Sequence, residues 1–408
     1  MDDASANVDR LRQAFNRERL LDRLTRLIAV PSPTGQAGSV ADCLAEILTQ
    51  DSFSVERVAA GHPVAPAVVV RLEAVGGSSG RTLQFDGHLD TVHLPFVPPA
   101  VDGDRLTGSG AADMKSGIAA AVEAMCILRD TDSLRSGSLL FTAHDLHEAP
   151  WGFGQQLDAM IAQGYVGNAV LIPEPLSDRL PVIGRGCAVW KAGIHRPSPP
   201  IHEVMRPMDE GSVILAGSKT ALRLDQLNQA LSARTDPLAG SDSVFIGQFH
   251  SGEIYNQFPQ DCRLEGTRRW LPGTERAAVE KEFRRLMADV AEETGTAIQM
   301  DFQFIRDAFW LDQSTDVVRA FQRAHATLQG QELPLGPKPF VDDGNSFWGL
   351  ARVPAITHGP LAGGQHTLHE WVSLADLERV ATLYALTATI YCNAKGSAPE
   401  DLQGHPPS

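Results

Sequence analysis

The stretches LQFDGHLDTV (83–92), GSGAADMKSGIAAAVEAM (108–125) and LLFTAHDLHEAPWGFG (139–154) decide the fold. Each couples a short apolar run to a cluster of His, Asp or Glu, the pattern of a buried strand delivering polar groups to one edge of a sheet. AVLIPEP (169–175), which ends in Glu174 and Pro175, is a fourth run of the same kind. His88 and Asp90 stand two apart, so on an extended strand end they project to the same face. An imidazole and a carboxylate so placed either meet one centre, or the carboxylate orients the imidazole that binds it. Taken alone, His-x-Asp is a weak signal that surface loops also carry. Asp113 sits where a small-residue loop becomes a helix, a position suited equally to a ligand and to a helix cap. Glu174, a turn glutamate before proline, fits solvated surface when considered alone. Four strand-like runs that all end in ligand-type residues argue for one shared centre.

DGHLDTV, GSGAADMKSG, HEAPWGFG, LIPEP and, far downstream, GQHTLHEWV (364–372) occur in a familiar order and approximate spacing. In these motifs the chain resembles the metal-dependent deacylase and exopeptidase family of acetylornithine deacetylase, succinyl-diaminopimelate desuccinylase, aminoacylase and glutamate carboxypeptidase. The resemblance covers nearly the whole chain. It implies two divalent ions, zinc first and cobalt or manganese as alternatives. Asp113 would bridge them, with His88 and Glu174 on one ion and Glu148 and His366 on the other. Chemistry agrees: two cations about 3.5 to 4 Å apart need a shared carboxylate and a mixed imidazole and carboxylate shell, without thiolates. They would polarise a scissile carbonyl and acidify a water, while Asp90 held His88 in one tautomer.

One departure stands out. Where the family has two adjacent glutamates, a general base and a ligand, this chain has His147 and Glu148, and three residues precede Gly152. His147 suits the base role, since an unperturbed imidazole titrates near pH 6.5. A ligand role and an inactive site stay open beside it. His144 and Asp145 are further candidates in a shifted register. His366 and His369 compete for one ligand position, and relatives place the histidine four residues before a glutamate, here Glu370. Asp342 and Asp343 begin a loop that in relatives lines the site, while the residues themselves read as a simple turn.

Composition sets the frame. A chain of 408 residues suggests two domains, and 43% apolar with 21% charged residues is ordinary for a soluble protein. The net charge of −15 argues against nucleic acid or an anionic membrane as partner. Five scattered cysteines and an N-terminus without a basic, then apolar, segment suit a cytoplasmic protein. Apolar spacing from about Asn7 to Ile28 predicts helix, a second amphipathic helix follows, and strand and helix then alternate.

The expected fold is α/β: a catalytic domain with a mostly parallel, mixed sheet (1–180 and 305–392). Into it is inserted an α+β lid and dimerisation domain of four strands and two helices (181–304). A disordered polar tail (393–408) follows. In the lid the resemblance implies substrate-binding roles for His202, reaching across a homodimer to an oxyanion, for Asn256 in support of that oxyanion, and for Arg269 on a substrate carboxylate. Arg268 could exchange roles with Arg269. The expected activity is hydrolysis of an amide in an N-acyl amino acid or small peptide-like substrate with a free carboxylate. An altered, single-metal site acting on another C–N bond and a non-catalytic metal-binding dimer are the alternatives.

Overall fold

The computed structural model describes residues 2–77 and 80–394, so the expected tail lies, from residue 395 on, outside the described residues. The N-terminal pattern forms α1 (Asp2–Ala14) and α2 (Arg17–Ile28), not one continuous helix. Asn16 separates them: its backbone is extended and its side chain accepts from the Arg19 amide at 3.0 Å, an N-cap that starts a new helix. α3 (Gly38–Gln50) is followed by β1 (Val55–Val58), β2 (Ala67–Glu73), β3 (Thr82–His88), α4 (Lys115–Thr131), β4 (Ser138–His144) and β5 (Ala169–Ile172).

Two compact units emerge, one of residues up to 182 with 311–336 and 342 onward, the other of residues 183–310 with 337–341. The second holds β6 (Gly186–His195), α5 (Val213–Leu231), β7 (Ser243–Ser251), β8 (Asp261–Trp270), α6 (Arg276–Thr294) and β9 (Ala297–Arg306). Its four long strands pair antiparallel in the order β7-β8-β6-β9. Trp190, Ala192 and Ile194 of β6 pack with Ala216 and Leu224 of α5 and with Phe283 and Met287 of α6. Alternation of buried and open positions along β6 follows from having helices on one face only.

The chain returns to the first unit through α7 (Asp316–Gln329), β10 (Ala355–Thr357) and α8 (Leu374–Cys392). There the sheet runs β1-β2-β4-β3-β5-β10. Its β1/β2 and β2/β4 pairings are antiparallel and the other three parallel, the mixed, mostly parallel α/β sheet expected. β4 and β5 are buried throughout, so they read as continuous apolar runs instead of alternating ones. α4 packs against α2 and α8 and is buried from Lys115 to Leu128, which is why its sequence is apolar nearly all round. Parallel pairing sets His88 beside His144 and Asp86 beside Thr142, gathering the polar carboxyl ends of the strands at one edge. Among the described residues no helix is long and apolar enough to cross a membrane.

Candidate metal centre

Five side chains from five separate segments converge at that edge. His88 ends β3, Asp113 lies two residues before α4, Glu148 follows β4, Glu174 follows β5, and His366 lies on the loop before α8. The two oxygens of Asp113 face different imidazoles: Oδ1 is 3.1 Å from His88 Nε2 and Oδ2 is 3.4 Å from His366 Nε2. Glu174 approaches His88 Nε2 at 3.5 Å, and Glu148 approaches His366 Nε2 at 3.2 Å. The carboxylate between the imidazoles thus has one histidine and one glutamate on either side. Asp113 caps no helix, since α4 starts from Met114 without a side-chain cap. Glu174 is 4% exposed, not solvated surface.

This donor set fits cations. His88 Nδ1 lies 3.0 Å from the Asp90 carbonyl oxygen and therefore carries the proton, leaving Nε2 as a lone pair aimed at two carboxylates. Positive charge is needed between them, a proton or a metal. Burial pushes Glu174 up to about 8, reinforced by the charge of Asp113. Hydrogen bonds to Asp113 and Glu148 push His366 up to about 10. Burial works against protonation of His88, yet hydrogen bonding to Asp113, Asp90 and Glu174 holds it well above the ordinary imidazole range. Three carboxylates crowded against two imidazoles form a trap for positive charge, which two divalent ions satisfy without any thiolate.

The backbone is arranged for the ligands. The Asp90 carboxylate accepts the amides of His147 (3.1 Å) and Glu148 (3.0 Å), and stands 3.6 Å from His88 Nδ1. It anchors the loop that carries Glu148, while its carbonyl fixes the His88 tautomer. Glu370 accepts the amides of Ala112 and Asp113 at 3.1 and 3.2 Å, tying the His366 loop to the segment that carries Asp113. His366 itself has a left-handed backbone (φ +58°), a conformation that non-glycine residues adopt at some cost. His369 is exposed, and its amide donates to the Thr367 hydroxyl at 3.1 Å.

His147 stacks on His88 with ring centroids 4.0 Å apart, and its Nε2 is 3.8 Å from Glu174 Oε1. Its Nδ1 lies 2.9 Å from Asp343 Oδ1. The reading of Asp342 and Asp343 as a simple turn is therefore corrected: Asp342 caps a short helix (Asp343–Ser346), which aims the buried Asp343 at His147. The sequence signal was a pair of acids opening a glycine-bearing loop that lines the site in relatives. The shifted-register candidates go elsewhere. Asp145 accepts the amides of Gly35 and Ala37, and His144 turns toward Asp86 and Asp343.

Within the second unit His202 and Asn256 meet, Nδ2 of the asparagine standing 3.2 Å from His202 Nε2, with Glu203 3.0 Å from His202 Nδ1. Arg269 lies on β8 opposite Cys187 and Ser243. Arg268, the other candidate, is buried and paired with Asp242 at 3.1 Å, which occupies its guanidinium.

Residues 85–389 match the family model described as peptidase family M20/M25/M40. The succinyl-diaminopimelate desuccinylase of Methylobacterium sp. (strain 4-46) is 28% identical over 380 residues, covering 88% of this chain and 92% of that protein. Among solved structures, a tripeptidase from Staphylococcus aureus superposes with a TM-score of 0.77 at 20% identity, covering 92% of this chain and 99% of the other. YXEP of Bacillus subtilis, described as a dinuclear metal-binding peptidase, gives 0.68 at 17%, covering 93% and 98%. With a family match over more than half its length and a donor set suited to metal, the chain belongs to peptidase family M20/M25/M40, metal-dependent hydrolases of amide bonds.

Proposed function

We propose that this chain hydrolyses the amide of an N-acyl amino acid or small peptide-like substrate with a free carboxylate, using two zinc ions (cobalt or manganese as alternatives). The observation that carries the reading is the bridging placement of Asp113 between His88 with Glu174 and His366 with Glu148. These five would hold the ions. Bound there, they would polarise the scissile carbonyl and lower the pKa of the attacking water. The rest falls to the protein.

His147 acts as general base. Asp343 holds its Nδ1 proton, so Nε2 presents a lone pair to the centre and becomes more basic as the imidazolium forms beside a carboxylate. The same nitrogen then returns the proton to the leaving amine. Asp90 keeps the His147–Glu148 backbone in register through both amides. His202 and Asn256 are assigned to the oxyanion and Arg269 to the substrate carboxylate, whose planar fork a guanidinium matches. His202 serves from the second chain of a homodimer, and the enzyme works in the cytoplasm.

The test is a panel of N-acetyl and N-succinyl amino acids, each offered as free acid and as methyl ester. Turnover confined to free acids, with Arg269→Ala raising KM for them, supports the assignment. Equal turnover of acid and ester would reject the carboxylate requirement.

A further inference from the structure

Behind His147 lies a second group of ligand-type side chains. Asp86 on β3, His144 at the end of β4 and Asp343 are all essentially without solvent exposure. His144 Nε2 is 3.2 Å from Asp343 Oδ2 and 3.5 Å from Asp86 Oδ2, and one ligand atom from each residue lies within 4.8 Å of the others. Despite that proximity, neither His144 Nε2 nor Asp86 Oδ2 makes a hydrogen bond. The atoms converge without the directionality that a shared proton demands.

We propose that Asp86, His144 and Asp343 hold a further divalent transition cation, zinc by preference, at a closed site apart from the centre on His88. Bonds of about 2.0–2.1 Å from one ion to nitrogen and oxygen put neighbouring ligands about 3.3 Å apart at tetrahedral angles. The separations of 3.2 and 3.5 Å bracket that value. Each ligand is also steadied through its other atom. His144 Nδ1 lies 3.2 Å from the Asp145 carbonyl, which fixes the tautomer that leaves Nε2 as a lone pair. Asp86 Oδ1 accepts the Thr142 hydroxyl, and Asp343 Oδ1 accepts from His147 Nδ1. Such outer partners are the regular accompaniment of metal ligands. A dication also neutralises two buried carboxylates that otherwise depend on a proton at His144 between them. The ion stands on the far side of Asp343 from His147 and sets the orientation of that carboxylate without touching substrate.

The inference does not depend on the proposed hydrolysis. The test is metal content per chain by mass spectrometry for the full-length protein reconstituted with zinc, alongside His144→Gln, Asp86→Asn and His88→Ala, together with anomalous diffraction at the zinc edge from wild-type crystals. Expected is the loss of one ion per chain in His144→Gln and Asp86→Asn. His88→Ala, which disturbs the other centre, retains the ion. An anomalous peak among the three side chains decides the matter even where a variant fails to fold. Wild type with no peak there while the His88 centre is loaded, or variants with wild-type metal content, would overturn the proposal and leave the cluster as a protonated ion triad.

Discussion

Replacing Gly117 by alanine tests how α4 positions Glu174, a proposed metal ligand. A Cβ at 117 would lie 1.9 Å from the carbonyl oxygen of Pro173 and 2.8 Å from its Cβ. Ordinary contact begins near 3.4 Å, so the Pro173–Glu174 segment would have to withdraw by roughly 1.5 Å. It has little room, because a Cβ at Gly359 would already lie 2.2 Å from the carbonyl oxygen of Glu174. The segment is clasped between two glycines. Alanine gains about 1 kcal/mol in helix propensity. Overpacking against backbone costs about 1–3 kcal/mol. The expected net is a loss of about 1 kcal/mol in stability, a modest change. The effect on metal is larger in relative terms. Ligand positions matter to about 0.2 Å, and even a third of the forced displacement exceeds that. Affinity for the ion on His88 and Glu174 should fall about 10–100-fold, the usual result of disturbing what holds a ligand. Competition titration of metal-stripped protein with a chromophoric chelator measures it, and urea unfolding measures the stability. Gly117→Ala with wild-type metal affinity would refute the claim that this close approach places Glu174.

Other perturbations follow from the same geometry. His147→Gln should lower kcat about 10²–10⁴-fold with metal content and KM little changed; a fall in metal content instead would make His147 a ligand. Glu123→Ala should cost about 3–5 kcal/mol in urea unfolding, because it strands the buried Arg23, which Glu123 meets at 2.7 Å while also binding Arg19 at 2.6 Å; a loss under 1 kcal/mol would show that Asp51 alone satisfies Arg23. Metal binding should release protons and strengthen as pH rises from 6 toward 10, since His366, raised to about 10 without metal, must give up its proton. Calorimetry in buffers of different ionisation heat reads that release, and affinity independent of pH would contradict it.

Much of the site was legible because each expected ligand closes its own apolar run or sits in a short motif, and strand ends in α/β sheets share an edge. The choice of His366 over His369 also rested on local spacing, four residues before Glu370. Asp343 was not legible in the same way. It lies 196 residues from its partner His147, and only the folded chain brings the two together. Asp86 was in plain view within DGHLDTV but reads as a strand residue until the parallel pairing of β3 with β4 and the turn of His144 toward it are known. Asn16 illustrates a local conflict: apolar spacing ran through it, yet its side chain competes for a backbone amide and breaks the helix.

The central claim is that a metal pair held across Asp113 is required to cleave an N-acyl amino acid. Turnover of the best substrate by chelator-stripped protein, before and after zinc is restored, in wild type and in Asp113→Asn, tests it most directly. The account predicts no turnover when stripped, recovery in wild type, and none in the variant. Turnover that ignores the chelator, or full recovery in Asp113→Asn, would contradict it.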